Sequence, residues 1–135
     1  MKERYELAYN RIHEISSEKN IPEVYRAYCQ ETAVLLTSLD QVLVLAEGDG
    51  LQAASLEQLK TWNTQFYDPL RDDNYEKFYG NPRYCTEKFG EEQGKLMAYF
   101  YSRFRDGILD AYNGDRESLL LLMELFLQVY TVLTT

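Results

Sequence analysis

The residues that could carry chemistry in this chain are few. His13 is the sole histidine, and its surroundings, RIHEISS, lack the second imidazole one turn away that a helix-borne zinc site needs. Di-iron bundles take Glu-x-x-His pairs from two helices, which one histidine does not supply. His13 therefore reads as a surface or boundary residue of the first helix. Cys29 and Cys85 stand far apart, in no metal-ligand spacing, and read as small apolar residues within helices. There is no Gly-x-Ser-x-Gly elbow, and Gly48-Asp49-Gly50 lacks the Lys-Ser/Thr pair of a phosphate loop. The surrounding AEGDGLQAASLE also lacks the alternating oxygen ligands of a calcium loop.

Carboxylates and rings remain. Glu87 and Glu91 lie one helical turn apart, beside Glu92, and would present two carboxylates to a metal or a cationic amine. A solvated face balanced by Lys88 and Lys95 is the plainer reading. Twelve of the 19 aromatic rings fall between Trp62 and Phe104. Trp62, Phe66, Phe89, Phe100 and Phe104 keep helical period and read as core. Tyr67, Tyr79, Tyr99 and Tyr101 fit that period less well and read as an exposed contact surface. An aromatic pocket with the Glu87–Glu91 face at its rim is the competing possibility.

The elements that must position these groups are helical almost throughout. Tyr5, Ala8, Tyr9, Ile12 and Ile15 form one stripe, and SSEKNIP closes that helix, with Pro22 opening the next. Val24, Tyr25, Tyr28, Thr32, Leu35, Leu36, Leu39, Val42, Leu43 and Ala46 then follow the i, i+3, i+4 rule up to EGDG. A capping box, Ser55 with Gln58, starts a short third helix. YDPLRDDNYEKFYG is irregular, with Pro69, Asp72 and Asp73 breaking the period. Asn81-Pro82 is a helix start, asparagine as N-cap and proline in the first turn. From Tyr84 to Tyr112 the pattern is one helix interrupted by Gly90, Gly94 and Gly107, with Gly90 and Gly94 on a shared face open to close approach. NGD at 113–115 makes a turn, with Asp115 capping the last helix. The pattern predicts an all-α fold of five or six helices, a bundle or an irregular orthogonal array with no sheet, forming a single domain over 1–135.

Composition narrows the function classes. A net charge of −8 and a pI near 4.7 repel phosphate backbones and anionic lipid heads, which argues against nucleic-acid and membrane-surface partners. The N-terminus MKERYELAYN has no apolar leader, and two widely spaced cysteines suggest free thiols and a cytoplasmic protein. The apolar run Leu119 to Leu133 contains Glu124 and Gln128, falls short of a membrane span, and reads as a buried helix. Being apolar on nearly all sides, it calls for partners on nearly all sides.

One longer string, YGNPRYCTEKFGEEQGKLMAYFYSRFRDGILDAYNGD, resembles part of the N-terminal extension of clostridial leucyl aminopeptidases, the aminopeptidase T-like metallopeptidases. Asn81, Pro82 and Tyr84 match a Tyr-x-Asn-Pro-x-Tyr element. Lys88, Gly90, Glu91, Glu92 and Gly94 match a Lys-Leu-Gly-Glu-Glu-Tyr-Gly element, with Phe89 and Gln93 in place of its Leu and Tyr. The likeness extends to RYELAYNRIHEI, SLEQLKTWNTQFYDPL and LLLLMELFLQVY. It implies a non-catalytic N-terminal accessory domain that docks on, covers or oligomerises a downstream peptidase part, or forms a homo-oligomer. Metal ligands and a divalent cofactor belong to that downstream part, so no catalytic residue carries over to this chain. The contact surface expected on this basis comprises Tyr79, Tyr84, Glu87, Glu91 and Tyr101. A stand-alone module binding a protein or peptide is the alternative.

Overall fold

The computed structural model describes residues 2–49, 53–72, 77–112 and 116–135, without the side chains of 44–49, 53–56, 59, 109 and 112. Helices α1 (Lys2–Ile15) and α2 (Glu23–Asp49) are followed by α3 (Ala53–Trp62), a π-helical turn (Asn63–Tyr67) and α4 (Asp68–Arg71), then α5 (Pro82–Phe89), α6 (Glu91–Tyr112) and α7 (Arg116–Thr134). Since α3, the π turn and α4 run on without a break, these are six helices, and no strand occurs among the described residues. The fold is all-α, as predicted.

The apolar stripes find each other largely as their spacing requires. From α1, Ala8, Ile12 and Ile15 are buried, with Tyr5 and Tyr9 packed at the margin. From α2, Tyr28, Thr32, Leu35, Leu36, Leu39 and Val42 enter the core. Val24, predicted inside, is 56% exposed, and Ile21 in the preceding turn is buried instead. Long polar side chains of α2 hold that turn: Gln30 Nε2 donates to the Glu18 carbonyl at 2.9 Å and Arg26 Nη2 to those of Lys19 and Ile21. Eight residues of α7 are buried, including Phe126 and Met123 at 0% exposure, and each large apolar side chain so removed from water stabilises the fold by roughly 1.5–3 kcal/mol. At 19 residues α7 is long and apolar enough to cross a membrane by length and composition, longer than the run read from the sequence. Contrary to the reading of a buried helix, it is not covered on every side: Leu121 and Val132 face outward, 57% and 50% exposed.

Two predicted features need correction. The segment around Pro69 was expected to be irregular, yet the helix continues through it. Asn63–Tyr67 winds as a π turn, with the Asp68 amide donating to the Asn63 carbonyl, and Asp68–Arg71 resumes the α form. Proline lacks an N–H and its ring crowds the carbonyl four residues back; the wider i→i+5 turn accommodates both. The chain leaves the helix at Asp72, in an extended conformation. The second correction concerns Tyr84 to Tyr112, which is two helices. Gly90 is the joint: at φ +94° it takes a conformation closed to L side chains, its amide closing α5 on Thr86 at 3.1 Å. Gly94 alone makes the close approach, since a Cβ there would stand 2.5 Å from the Cys85 carbonyl oxygen. Asn81 behaves as read, its Oδ1 accepting from the amides of Arg83 (3.0 Å) and Tyr84 (3.3 Å) with Pro82 in the first turn. The expected turn at EGDG beyond Asp49, the side chains of Ala46 and Ser55, Asp73 and the NGD turn with its Asp115 cap lie outside the described residues, but α3 is already helical at Ala53, two residues before the start expected at Ser55.

Candidate functional site

Side chains of α2 and α6 meet in a knot of tyrosines. Tyr28, fully buried, donates its hydroxyl to the Met97 carbonyl at 3.0 Å. Thr32, on the same face one turn later, bonds the Tyr28 carbonyl at 2.6 Å and meets the Tyr101 hydroxyl at 2.7 Å. Tyr79 completes the knot: its ring lies 5.0 Å from Tyr28 and 5.5 Å from Tyr101, centroid to centroid, and its hydroxyl donates to Glu31 Oε2 at 3.0 Å. Burial raises the titration of all three phenols, with the nearby Glu31 carboxylate adding to the effect at Tyr79, so each hydroxyl stays a neutral donor.

Against this knot the bulged helix leaves a cavity of about 260 Å³. Phe66, Pro69 and Leu70 come from the π turn and α4, Leu35 from α2, and Phe78, Tyr79 and Tyr101 from the knot. Leu35, Leu70, Phe78 and Tyr101 are all under 7% exposed. Glu31, Gln65 and Lys77, all exposed, supply its polar lining. The π turn brings Phe66 and Leu70 to the same side as Trp62, whose ring is 5.8 Å from Phe66. A neighbouring hollow of about 520 Å³ is lined by Asn81, Lys95, Tyr99 and Arg105. Lys95 there is already engaged by Glu91 at 2.7 Å.

The residues expected to form a contact surface are thereby divided. Tyr79 is half-buried and lines the cavity. Tyr101 is 6% exposed and belongs to the interior, because its ring turns toward Thr32 and Tyr28. Tyr84 is half-buried, 6.2 Å from the Tyr79 ring, with the Lys88 ammonium 5.5 Å from its ring centroid and donating to its hydroxyl at 3.1 Å. Glu87 and Glu91 are exposed and do not act together: Glu87 pairs with Arg83 at 3.2 Å and Glu91 with Lys95. The cavity's carboxylate is Glu31, on a different helix. Its signal in the sequence was faint, a glutamate directly preceding the buried Thr32. His13 is exposed and stacks on Tyr9, centroids 6.1 Å apart. Among the described residues no three His, Cys, Asp or Glu side chains gather as a metal-ligand group.

A second polar centre, missed in the sequence, joins α1, α2 and α7. Asp40 is 8% exposed and receives Arg116 Nη1 at 2.8 Å together with the Tyr5 hydroxyl. Arg116 also donates to the Tyr5 oxygen at 3.0 Å and lies 5.5 Å from its ring centroid. The signal available was Asp40's place on the Leu36–Leu43 face, a carboxylate on an apolar stripe.

Both thiols are free and fully buried. Burial pushes Cys29 from an ordinary 9.0 up to about 12 and Cys85 up to about 11, the Cys85 thiol also donating to the Tyr79 carbonyl. A folded-state value above the unfolded one makes this contribution complete below pH 9 and progressively lost as pH rises toward the folded value. The free energy of unfolding measured by urea titration is thus expected to fall from pH 9 to 11, by roughly 1.4 kcal/mol per unit for each thiol. In the native protein at neutral pH, both should resist aromatic disulfide reagents until urea unfolds the chain. A flat profile, or prompt labelling, would contradict the burial.

Comparison with family models, with curated proteins and with solved structures finds no match to this chain.

Proposed function

We propose that the chain is a helical docking domain that contributes no reactive group of its own, serving as the N-terminal accessory domain of an aminopeptidase T-like protein and seating against its peptidase part. The observation that carries the docking is the outward row on α7. Leu121, Leu125 and Val132 fall within one face of the helix, Leu121 and Val132 with half or more of their surface open. Beside them Leu122, Gly107 and the exposed Arg103, Asp106 and Asp110 form a groove between α6 and α7, an apolar strip with a charged margin. The family part of the reading is supported by the likeness of residues 79–94.

The test compares hydroxyl-radical labelling of Leu121, Leu125 and Val132 in the complete gene product and in residues 1–135 alone. Protection of all three in the complete product supports docking, and equal labelling removes it. A complete product without a His-, Asp- and Glu-bearing metallopeptidase region overturns the family assignment. The stand-alone binding module is favoured by a different observation, the aromatic cavity.

A further inference from the structure

The cavity beside the π turn has a composition that the docking reading does not use. Its inner lining is apolar and aromatic: Phe66, Leu70, Phe78 and Tyr101. Its exposed lining carries one unit of each charge, Glu31 and Lys77, with the Gln65 amide. Glu31 spends one oxygen on the Tyr79 hydroxyl, which fixes the carboxylate and leaves the second oxygen as an acceptor. Among the described residues, the side chains of Lys77 and Gln65 make no hydrogen bond or ion pair.

A ligand that used every part of this lining would have an ammonium group for Glu31, a carboxylate for Lys77 and an apolar body for the rings. The volume, about 260 Å³, lies just below the range of drug-sized sites, roughly 300–1,000 Å³, and admits one small molecule. A purely cationic ligand would leave Lys77 opposed to it, and a purely anionic one would face Glu31. We propose that this cavity binds a single zwitterionic molecule of amino-acid size with an apolar side chain, its ammonium on Glu31, its carboxylate on Lys77 and its side chain among Phe66, Leu70 and Tyr101. The proposal is independent of docking through α7, which lies outside the cavity.

Calorimetric titration with L-phenylalanine, phenethylamine and 3-phenylpropionate tests it, because the three share a ring and differ only in charged groups. Trp62, the sole tryptophan and a neighbour of Phe66, gives a parallel fluorescence readout. Phenylalanine is expected to bind at one site, with each singly charged analogue weaker by about tenfold or more, one charge-assisted contact being lost in each case. Glu31→Gln should weaken phenylalanine by a similar factor while leaving phenylpropionate unharmed. Lys77→Met should do the converse with phenethylamine. Both positions are exposed, so the variants keep the core, and each reads the site independently of the other. No saturation by phenylalanine up to about 10 mM, equal binding of either analogue, or indifference to both substitutions would overturn the assignment.

Discussion

Gly94→Ala is expected to destabilise the protein by about 1–2 kcal/mol, although alanine is the better helix former. The mid-helix preference of alanine over glycine contributes about 1 kcal/mol in its favour. Against it stands the Cys85–Thr86 backbone, with Cys85 C and Thr86 Cα each 2.6 Å from the added Cβ. Backbone atoms cannot rotate aside, so α5 must shift off α6, and overpacking of this kind costs about 1–3 kcal/mol or more. The steric cost wins. Gly107, in the same helix, is the control: a Cβ there meets only the Leu122 side chain, at 3.6–3.9 Å, ordinary contact distance. Gly107→Ala should therefore stabilise, by up to about 1 kcal/mol. Thermal unfolding reads both, with the Gly94 variant melting roughly 5–10 °C lower. A Gly94→Ala protein as stable as its parent would show that α5 does not press on α6.

Asp40→Ala is the second large effect. It removes the acceptor shared by Arg116 and Tyr5, taking the Asp40 carboxylate from a mostly buried guanidinium whose side chain is 19% exposed. Breaking a buried pair costs about 3–5 kcal/mol, and the remaining solvent access reduces this to about 2–4 kcal/mol. Arg116→Met should cost a similar amount, since Asp40 then retains only the Tyr5 hydroxyl. The double variant Asp40→Ala/Arg116→Met should recover part of the loss, because two apolar groups have no desolvation to repay. Chemical denaturation of the three variants gives the coupling as a double-mutant cycle. Additive losses would mean that the pair does not interact.

Helix identity was legible wherever local chemistry decides it. Asn81-Pro82 could be read as an N-cap because capping involves only neighbours in sequence, and the α1 stripe because one face suffices to bury it. The failures have a common physical source, in partners remote along the chain. Pro69 looked like a helix breaker, since a π turn leaves no fixed residue signature and only packing of Phe66 and Leu70 shows that the helix goes on. Gly90 and Gly94 looked equivalent, yet one needs positive φ and the other closeness to Cys85, a distinction set by how α5 folds back. Tyr101 was placed outside because it fits the helical period of its neighbours less well, and the partner that holds its hydroxyl inside, Thr32, lies 69 residues away. Glu87 and Glu91 looked one turn apart on one helix, but the break at Gly90 puts them on α5 and α6, each neutralised by a base on its own helix, and the cavity took its carboxylate from α2.

The side-by-side placement of α1 and α7 governs how the chain is made. Arg4 pairs with Glu124, 120 residues later, and Arg11 lies over the Tyr130 ring at 5.4 Å. During synthesis at about 5–20 residues per second, α1 precedes its last cover by roughly 6–24 s. Through that interval α1 lacks the α7 side of its packing, and folding to completion waits on the ribosome rather than on helix formation, which takes about a microsecond. Nascent α1 is thus the segment for a holding chaperone to meet, and synonymous codons that slow translation before residue 116 would lengthen its exposure.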